Sequence, residues 1–186
     1  LYYHFDKDAK TAMVTYEKYE IYHDNYNSLP EELIIPEKVT YDEVEYTVTE
    51  IEQYAFRFSK SLKKVTLPAT LEKIANLAFA YCEAMNEMTC YAVEPPVLGT
   101  IVFYGSDCSK IPLYVPKASI DKYKAADQWK DFKIEAAPMC GDHLFWEIKD
   151  GVLTITGYGD MWNWDEDGIY APWYDYRLEI TSVQLP

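Results

Sequence analysis

Ile51-Glu-Gln-Tyr-Ala-Phe56 followed by Leu62-Lys-Lys-Val65-Thr-Leu67 superposes without a gap on Ile74-Ala-Asn-Leu-Ala-Phe79 followed by Met85-Asn-Glu-Met88-Thr-Cys90. Ile51/Ile74, Ala55/Ala78, Phe56/Phe79, Leu62/Met85, Val65/Met88 and Leu67/Cys90 are each 23 residues apart. Matched apolar positions at one fixed offset are the signature of a stacked repeat. Within a repeat, Val65-Thr-Leu67-Pro68 reads as a short strand with alternate residues inward and a proline that stops it. The Ile-x-x-x-Ala-Phe half turns the corner, with alanine giving room and phenylalanine filling the space between coils. One such coil cannot bury its own apolar row, so the period predicts a β-solenoid, its strands stacked about 4.8 Å apart in a parallel ladder.

The same signature extends outward. Leu33-Ile-Ile35-Pro36 with Val39 repeats the spacing of Val65-Thr-Leu67-Pro68 with Leu71, and Tyr41 to Glu50 reads as a longer polar insertion. Leu113-Tyr-Val115-Pro116 is another strand-then-proline unit, with Pro95-Pro96-Val97-Leu98 and Val102-Phe103 standing in for the corner half. The chain closes on Ile180-Thr-Ser-Val183-Gln-Leu185-Pro186, the strand half once more.

Two hairpins open two modules. Tyr3-His-Phe5, a polar turn from Asp6 to Lys10, and Ala12-Met-Val14-Thr-Tyr16 alternate as one hairpin. Leu144-Phe-Trp146-Glu-Ile148, a turn with Asp150-Gly151, and Val152-Leu153-Thr-Ile155 make the other. A polar-rimmed hairpin suits the N-terminal end of a solenoid, where strand edges would otherwise lie open. A short C-terminal capping helix is expected after Ser119 as N-cap, with Ile120, Tyr123, Ala126 or Asp127, and Trp129 at helical spacing over the last rung. The expected domains are therefore 1–137, a capped array of about four coils closed by a helix, and 138–186, the cap and first strand of a second array. That second array stops in mid-repeat at Pro186, so the expectation is either that more protein follows or that the array is truncated.

The Ala-Phe, Cys82, Leu/Met and Val-x-Leu-Pro positions at 23 residues resemble the BspA-like leucine-rich repeats of bacterial surface proteins. Leu113 to Ile134 is similar to the ending of such arrays. The resemblance spans Leu33 to Ala137 and then Gly141 to Pro186; Phe58-Ser59 stands where the next repeat has Tyr81-Cys82. It implies a mostly β leucine-rich-repeat solenoid with little helix, an extracellular or cell-surface location, and binding to host proteins or neighbouring cells.

Composition sets limits. The 186 residues are 49% hydrophobic and 26% charged, which excludes a disordered tail. With 17 basic against 31 acidic residues the net charge is −14, a field that repels nucleic acid and anionic membranes. No stretch is long and apolar enough to insert in a bilayer. The chain starts at Leu1 rather than Met, so the absence of a signal peptide within it excludes nothing. Eighteen tyrosines and five tryptophans fit either strand surfaces or a recognition surface. Cys82, Cys90, Cys108 and Cys140 form no CxxC pair; they read as small buried hydrophobes, with a disulfide left open.

Nothing here reads as an enzyme, and no cofactor is expected. His4, His23 and His143 are scattered, no nucleophile elbow accompanies them, and Gly157-x-Gly159 lacks the third glycine of a phosphate loop. Asn163-x-Asp165-x-Asp167-Gly168 matches the start of a calcium loop, but Tyr174 holds the twelfth position where glutamate is required. It reads either as an acidic surface loop or as a weak calcium site. Trp162, Trp164 and Trp173 could stack on sugar rings or cover the first coil of the second array. Strand alternation sends Ile34, Thr66, Thr89 and Tyr114 outward in one row, beside Lys64, Glu87 and Pro112, a flat surface expected to be uncluttered by long charges. The function expected is a non-catalytic interaction module binding a protein or glycan at a cell surface. The alternatives are a passive surface spacer and a carbohydrate-binding accessory using the tryptophan turn.

Overall fold

The computed structural model describes residues 1–15, 30–141, 144–157, 159–163 and 170–185, with the backbone alone at 156–157. They divide into two compact units, Leu1–Ala136 and Ala137–Pro186. Strands predominate over helix in both.

In the first unit, β1 (Tyr2–Asp6) and β2 (Thr11–Thr15) form an antiparallel hairpin. Asp6 accepts the backbone N–H groups of Asp8 at 3.0 Å and Ala9 at 2.9 Å, which tightens its turn. Ala12 and Val14 point into the core. Next come β3 (Glu32–Ile34), β4 (Lys38–Tyr41) and β5 (Val44–Ile51). The segment expected as a polar insertion is in fact the β4/β5 hairpin, and Tyr46 and Val48 on it are core residues. Its two turn residues, Asp42 and Glu43, both have positive φ (49° and 63°), as a two-residue type I′ turn requires. Neither is glycine, so the usual sequence signal for that turn is missing.

The remaining strands are β6 (Lys64–Leu67), β7 (Lys73–Ile74), β8 (Glu87–Cys90), β9 (Val97–Leu98), β10 (Pro112–Val115) and, after helix α1 (Ile120–Ala125), β11 (Lys133–Ala136). One sheet runs β11-β10-β8-β6-β3, and all of its pairs are parallel. The other runs β1-β2-β5-β7-β9 with β4 beside β5, and it is mixed. The expected ladder is thus parallel in one sheet and interrupted in the other by two hairpins, which can only pair antiparallel.

Inward residues follow the period. Leu33, Val65, Met88 and Leu113 are successive cross-strand partners and all are buried, as are Val14, Ile51 and Ile74 on the opposite sheet. Between the sheets the phenylalanines stack: Phe56 on Phe79 at 5.0 Å and 18°, and Phe79 on Phe103 at 5.9 Å and 15°. Alanine at 55 and 78 is buried beside them, where a larger side chain would collide with the next coil. Backbone bonds link the corners on alternate residues, Phe56 N–H to Ala78 O at 2.8 Å and Phe79 N–H to Val102 O at 3.1 Å. Ser59 and Cys82 hold equivalent places in the sequence but bond differently: the Ser59 hydroxyl donates within its own corner to the Phe56 carbonyl at 2.6 Å, and the Cys82 thiol reaches back to that same carbonyl at 3.2 Å. All four cysteines are free thiols; Cys82, Cys90 and Cys140 are buried and Cys108 is partly exposed. Burial pushes the Cys82 thiol up to about 12, far from any reactive range.

The C-terminal end of the array differs from expectation. Helix α1 is a single stretch of six residues, and Ser119 does not cap it. A 3-10 turn, Lys117–Ser119, precedes the helix and leaves Ser119 at φ −100°, ψ −6°, outside the extended conformation of an N-cap, with its buried hydroxyl unpartnered. The helix ends at Ala125, so Trp129 arrives on a separate turn after Gln128 at φ 60°. Tyr123 and Trp129 are nonetheless buried. The tyrosine hydroxyl donates to the Ala92 carbonyl at 2.9 Å and the indole N–H to the Pro96 carbonyl at 2.9 Å. The last strand is β11, beyond the helix.

In the second unit, β12 (Leu144–Lys149) and β13 (Val152–Gly157) form a hairpin around Asp150 (φ 52°) and Gly151 (φ 79°). β14 (Ser182–Gln184) pairs parallel with β13, Leu153 opposite Val183. Cys140, Leu144, Leu153 and Ile155 make a small core, against which Trp146, Ile148, Trp173 and Ile180 pack.

Phe79 sits in the middle of the phenylalanine column and is fully buried. Phe79→Ala is expected to cost about 3–5 kcal/mol through lost transfer energy and the cavity left behind. A urea melt measures it; a loss under about 1 kcal/mol would mean that the column does not carry the core.

Candidate binding face

The outer face of the all-parallel sheet carries one continuous row. Ile34 pairs with Thr66, Thr66 with Thr89, Thr89 with Tyr114, and Tyr114 with Glu135. The four expected surface residues thus lie side by side. Ile34 is 69% exposed, while Thr66, Thr89 and Tyr114 are half-buried by their neighbours in the sheet.

The surroundings are more charged than expected. Glu32, Lys64 and Glu87 form the adjacent row in register, with Lys64 3.4 Å from Glu87 and 4.0 Å from Glu32. Lys133 binds Glu135 at 2.6 Å, at the end of the row itself. The charges alternate in sign because neighbouring rungs place their side chains within ion-pair reach. Each exposed pair contributes little stability. Together they leave the flank close to neutral within a strongly acidic chain.

The tryptophan turn is only partly gathered. Trp173 meets Trp146 edge to face at 6.1 Å and is half-buried in the small core of the second unit. Trp162 is 42% exposed, and its backbone N–H bonds to the Cys140 carbonyl at 2.9 Å. Trp164, Asp165 and Asp167 lie outside the described residues, as do His23 and His143; Asn163 is described and exposed. Among the described residues no group of three or more His, Cys, Asp and Glu side chains is placed to hold a metal. At the N-terminal cap the Thr15 hydroxyl donates to the Glu52 carboxylate, and His4 Nδ1 lies 3.8 Å from the same group. The hydroxyl therefore faces the carboxylate, not the imidazole, and the contact ties β2 to the segment after β5.

A shallow groove of about 710 Å3 lies between Pro95–Ile101 and Ala126–Trp129. The Gln128 amide accepts the Val102 N–H at 2.8 Å and donates to the Gly99 carbonyl at 2.7 Å, doing for the last corner what the next coil does elsewhere. The walls are mostly apolar, and their one carboxylate, Asp127, is held by Lys130 at 2.7 Å. Sequence reasoning missed the aromatic residues beside Arg57, namely Phe58, which is exposed, and Tyr54 and Tyr81, which are half-buried; the 23-residue offset between Phe58 and Tyr81 was the available signal.

Residues 27–136 match the family model of the BspA type leucine rich repeat region, in six copies. Among solved structures, a leucine-rich repeat protein from Bacteroides capillosus is similar at 24% identity and TM-score 0.48, over 62% of this chain and 78% of that one. A leucine-rich repeat protein from Bacteroides ovatus follows at 17% and 0.41, over 74% and 39%. A leucine rich cell surface protein from Faecalibacterium prausnitzii matches at 15% and 0.30, over 84% and 59%. No curated protein matches the chain.

Gln128→Ala removes both bonds that close the last corner and leaves the buried Val102 N–H without its partner. The expected cost is about 1–3 kcal/mol. Hydrogen exchange at Val102 reads it directly: the amide should lose protection in the variant, and unchanged protection would deny the capping role.

Proposed function

The chain belongs to the BspA type leucine-rich-repeat family, and from that premise we propose that it is a non-catalytic recognition module, secreted or held at a bacterial cell surface. Its coils stack as a solenoid, a reading that the parallel pairings of β3-β6-β8-β10-β11 and of β2-β5-β7-β9 support. A protein partner binds across the outer face of the all-parallel sheet. The observation that carries this reading is the in-register row of Ile34, Thr66, Thr89 and Tyr114. Repetition holds it flat, the interior keeps it rigid, and the alternating charges beside it offer register without a large net field. A spacer role is the second reading, favoured by the mutual pairing of those flanking charges.

Ile34→Glu combined with Tyr114→Glu puts two unpaired carboxylates into the row and leaves the buried positions untouched. Binding of the purified protein to cells or immobilised matrix proteins is expected to fall about tenfold or more. Parental binding by a variant with a parental circular dichroism spectrum would favour the spacer.

We also propose that 138–186 is the cap hairpin and first strand of a second array. Val183 and Leu185 support this: alternation makes them the inward row of a coil, yet they are 57% and 65% exposed. A hairpin with one added strand buries too little to fold cooperatively. Residues 1–137 are therefore expected to melt cooperatively in isolation, and residues 140–186 to show no transition. A sharp melt from 140–186 would refute the assignment.

A further inference from the structure

The two sheets of the first unit end on different rungs. β11 continues the all-parallel sheet past β10, whereas the other sheet stops at β9. Between β10 and β11 the chain forms α1 and the turn Trp129–Asp131 instead of a further strand for it. The edge of β9 therefore borders the groove between Pro95–Ile101 and Ala126–Trp129. Backbone directions along β9 alternate. Val97 N–H donates to the Glu72 carbonyl and Gly99 N–H to the Ile74 carbonyl, both at 2.8 Å and both toward β7. The N–H and C=O of Leu98, between them, point the other way, into the groove. Side chains of the cap bracket this residue, Trp129 bonding the Pro96 carbonyl at 2.9 Å and Gln128 the Gly99 carbonyl at 2.7 Å.

A bare strand edge invites pairing, and proteins blunt such edges with charged side chains. Among the described residues the other edges of the first unit follow that rule. β1 carries Asp6, β3 Glu32, β4 Lys38, and β11 both Lys133 and Glu135. β9 carries only Val97 and Leu98. Val97 is 69% exposed, and Ile101, on the same wall of the groove, is 47% exposed. Ile101 is also a β-branched residue held at φ 45°, in the left-handed region that such residues avoid. An uncharged edge, an open groove and uncovered apolar side chains thus coincide at one place.

We infer that β9 takes up a short extended peptide from a partner protein, which adds a strand to the sheet and lies in the groove. The peptide backbone gives an N–H to the Leu98 carbonyl and a carbonyl to the Leu98 N–H, as one rung does for the next along β5, β7 and β9. That pairing asks for an amide backbone, which neither a sugar nor a lipid chain supplies. Successive side chains of the peptide fall beside Val97 and Leu98 on opposite faces, and β-branched residues, which hold the extended form, suit both places. Pro95 and Pro96 lack the N–H groups with which a longer ladder would continue, so the paired stretch is short. The carboxylate in the groove, Asp127, is held by Lys130 at 2.7 Å, which leaves the seat itself close to neutral. The net charge of −14 over the whole chain favours basic residues at the ends of the peptide and turns acidic ones away. The site shares no residue with the outer row of the all-parallel sheet and does not depend on it.

Hydrogen exchange and NMR titration of the full chain test the inference. In the free chain the Leu98 amide should exchange faster than those of Val97 and Gly99, which are bonded to β7. The probe is a blocked peptide of alternating valine and threonine with a lysine at each end. Saturable binding that slows exchange at Leu98 about tenfold or more is the expected result. Of two versions N-methylated at alternate amides, one in each phase, one should bind about tenfold or more weakly and the other like the unmodified peptide. Leu98→Pro removes an N–H that does not hold the sheet, so it should keep the parental circular dichroism spectrum and bind about tenfold or more weakly. Ile101→Gly suits its φ and removes an exposed wall of the groove; it should fold and bind more weakly, and it decides the matter if the proline variant does not fold. Ile34→Glu with Tyr114→Glu should bind the peptide like the parent, so the groove and the sheet face fail separately. No saturable binding, equal losses in both methylated versions, or parental binding by either folded groove variant would overturn the assignment. So would a Leu98 amide already protected in the free chain, and its release on dilution would give the edge to a second copy instead.

Discussion

A coil of about 23 residues has too few residues to enclose its own apolar face, and the first unit is built around that deficit. The stack of Phe56, Phe79 and Phe103 is where the deficit is met, each ring completing the burial of the one before. Much else follows from keeping these rings in contact. Corners must be small where they pass the rings, hence alanine at 55 and 78. The Phe56 carbonyl takes a short donor from its own corner, Ser59, and another from the next, Cys82. The third coil carries one extra residue, since Phe103 lies 24 positions after Phe79, yet its ring joins the column at a nearly parallel 15°. The stack thus accommodates a one-residue change in the length of a coil.

A stack has two ends, and each must satisfy groups that a neighbouring coil satisfies elsewhere. The N-terminal hairpin lends β2 as a first rung for β5, with a register shift between Ala12 and Met13 where hairpin and coil geometry fail to match. At the other end side chains replace backbone. Gln128 takes the Val102 N–H and the Gly99 carbonyl, Trp129 the Pro96 carbonyl, and Tyr123 the Ala92 carbonyl. Trp129 and Phe132 also cover Phe103, at 5.6 and 4.9 Å. The outer row from Ile34 to Tyr114 rests on the buried row of Leu33, Val65, Met88 and Leu113, while β3 remains an edge of its sheet.

Burial along a repeat is a local property with a fixed period, so it was legible in the sequence. Val65 and Leu67, Met88 and Cys90, and Leu113 and Val115 are inward because alternation and the 23-residue offset make them so. Their outward neighbours Thr66, Thr89 and Tyr114 follow from the same rule. The β4/β5 hairpin escaped, although Val44, Tyr46 and Val48 alternate, because Asp42-Glu43 lacks the glycine that normally marks such a turn. Ser119 looked like a cap because its residue type and position were right; the 3-10 turn before it then set a backbone conformation that no N-cap adopts.

By itself, then, the sequence determined the period, the inner and outer faces of the strands, the two hairpin openings and the family. Each of these is written in the order of apolar and polar residues along a few turns of chain. Only the tertiary structure decided which side chains meet across coils outside that pattern. Lys64 stands between Glu32 and Glu87, 32 residues before it and 23 after, and so joins into one paired row charges that the sequence shows only singly. Arg57 lies against rings from its own coil and the next. Such partnerships depend on where side chains of different coils come to rest in space, and neither composition nor spacing along one strand carries that distance.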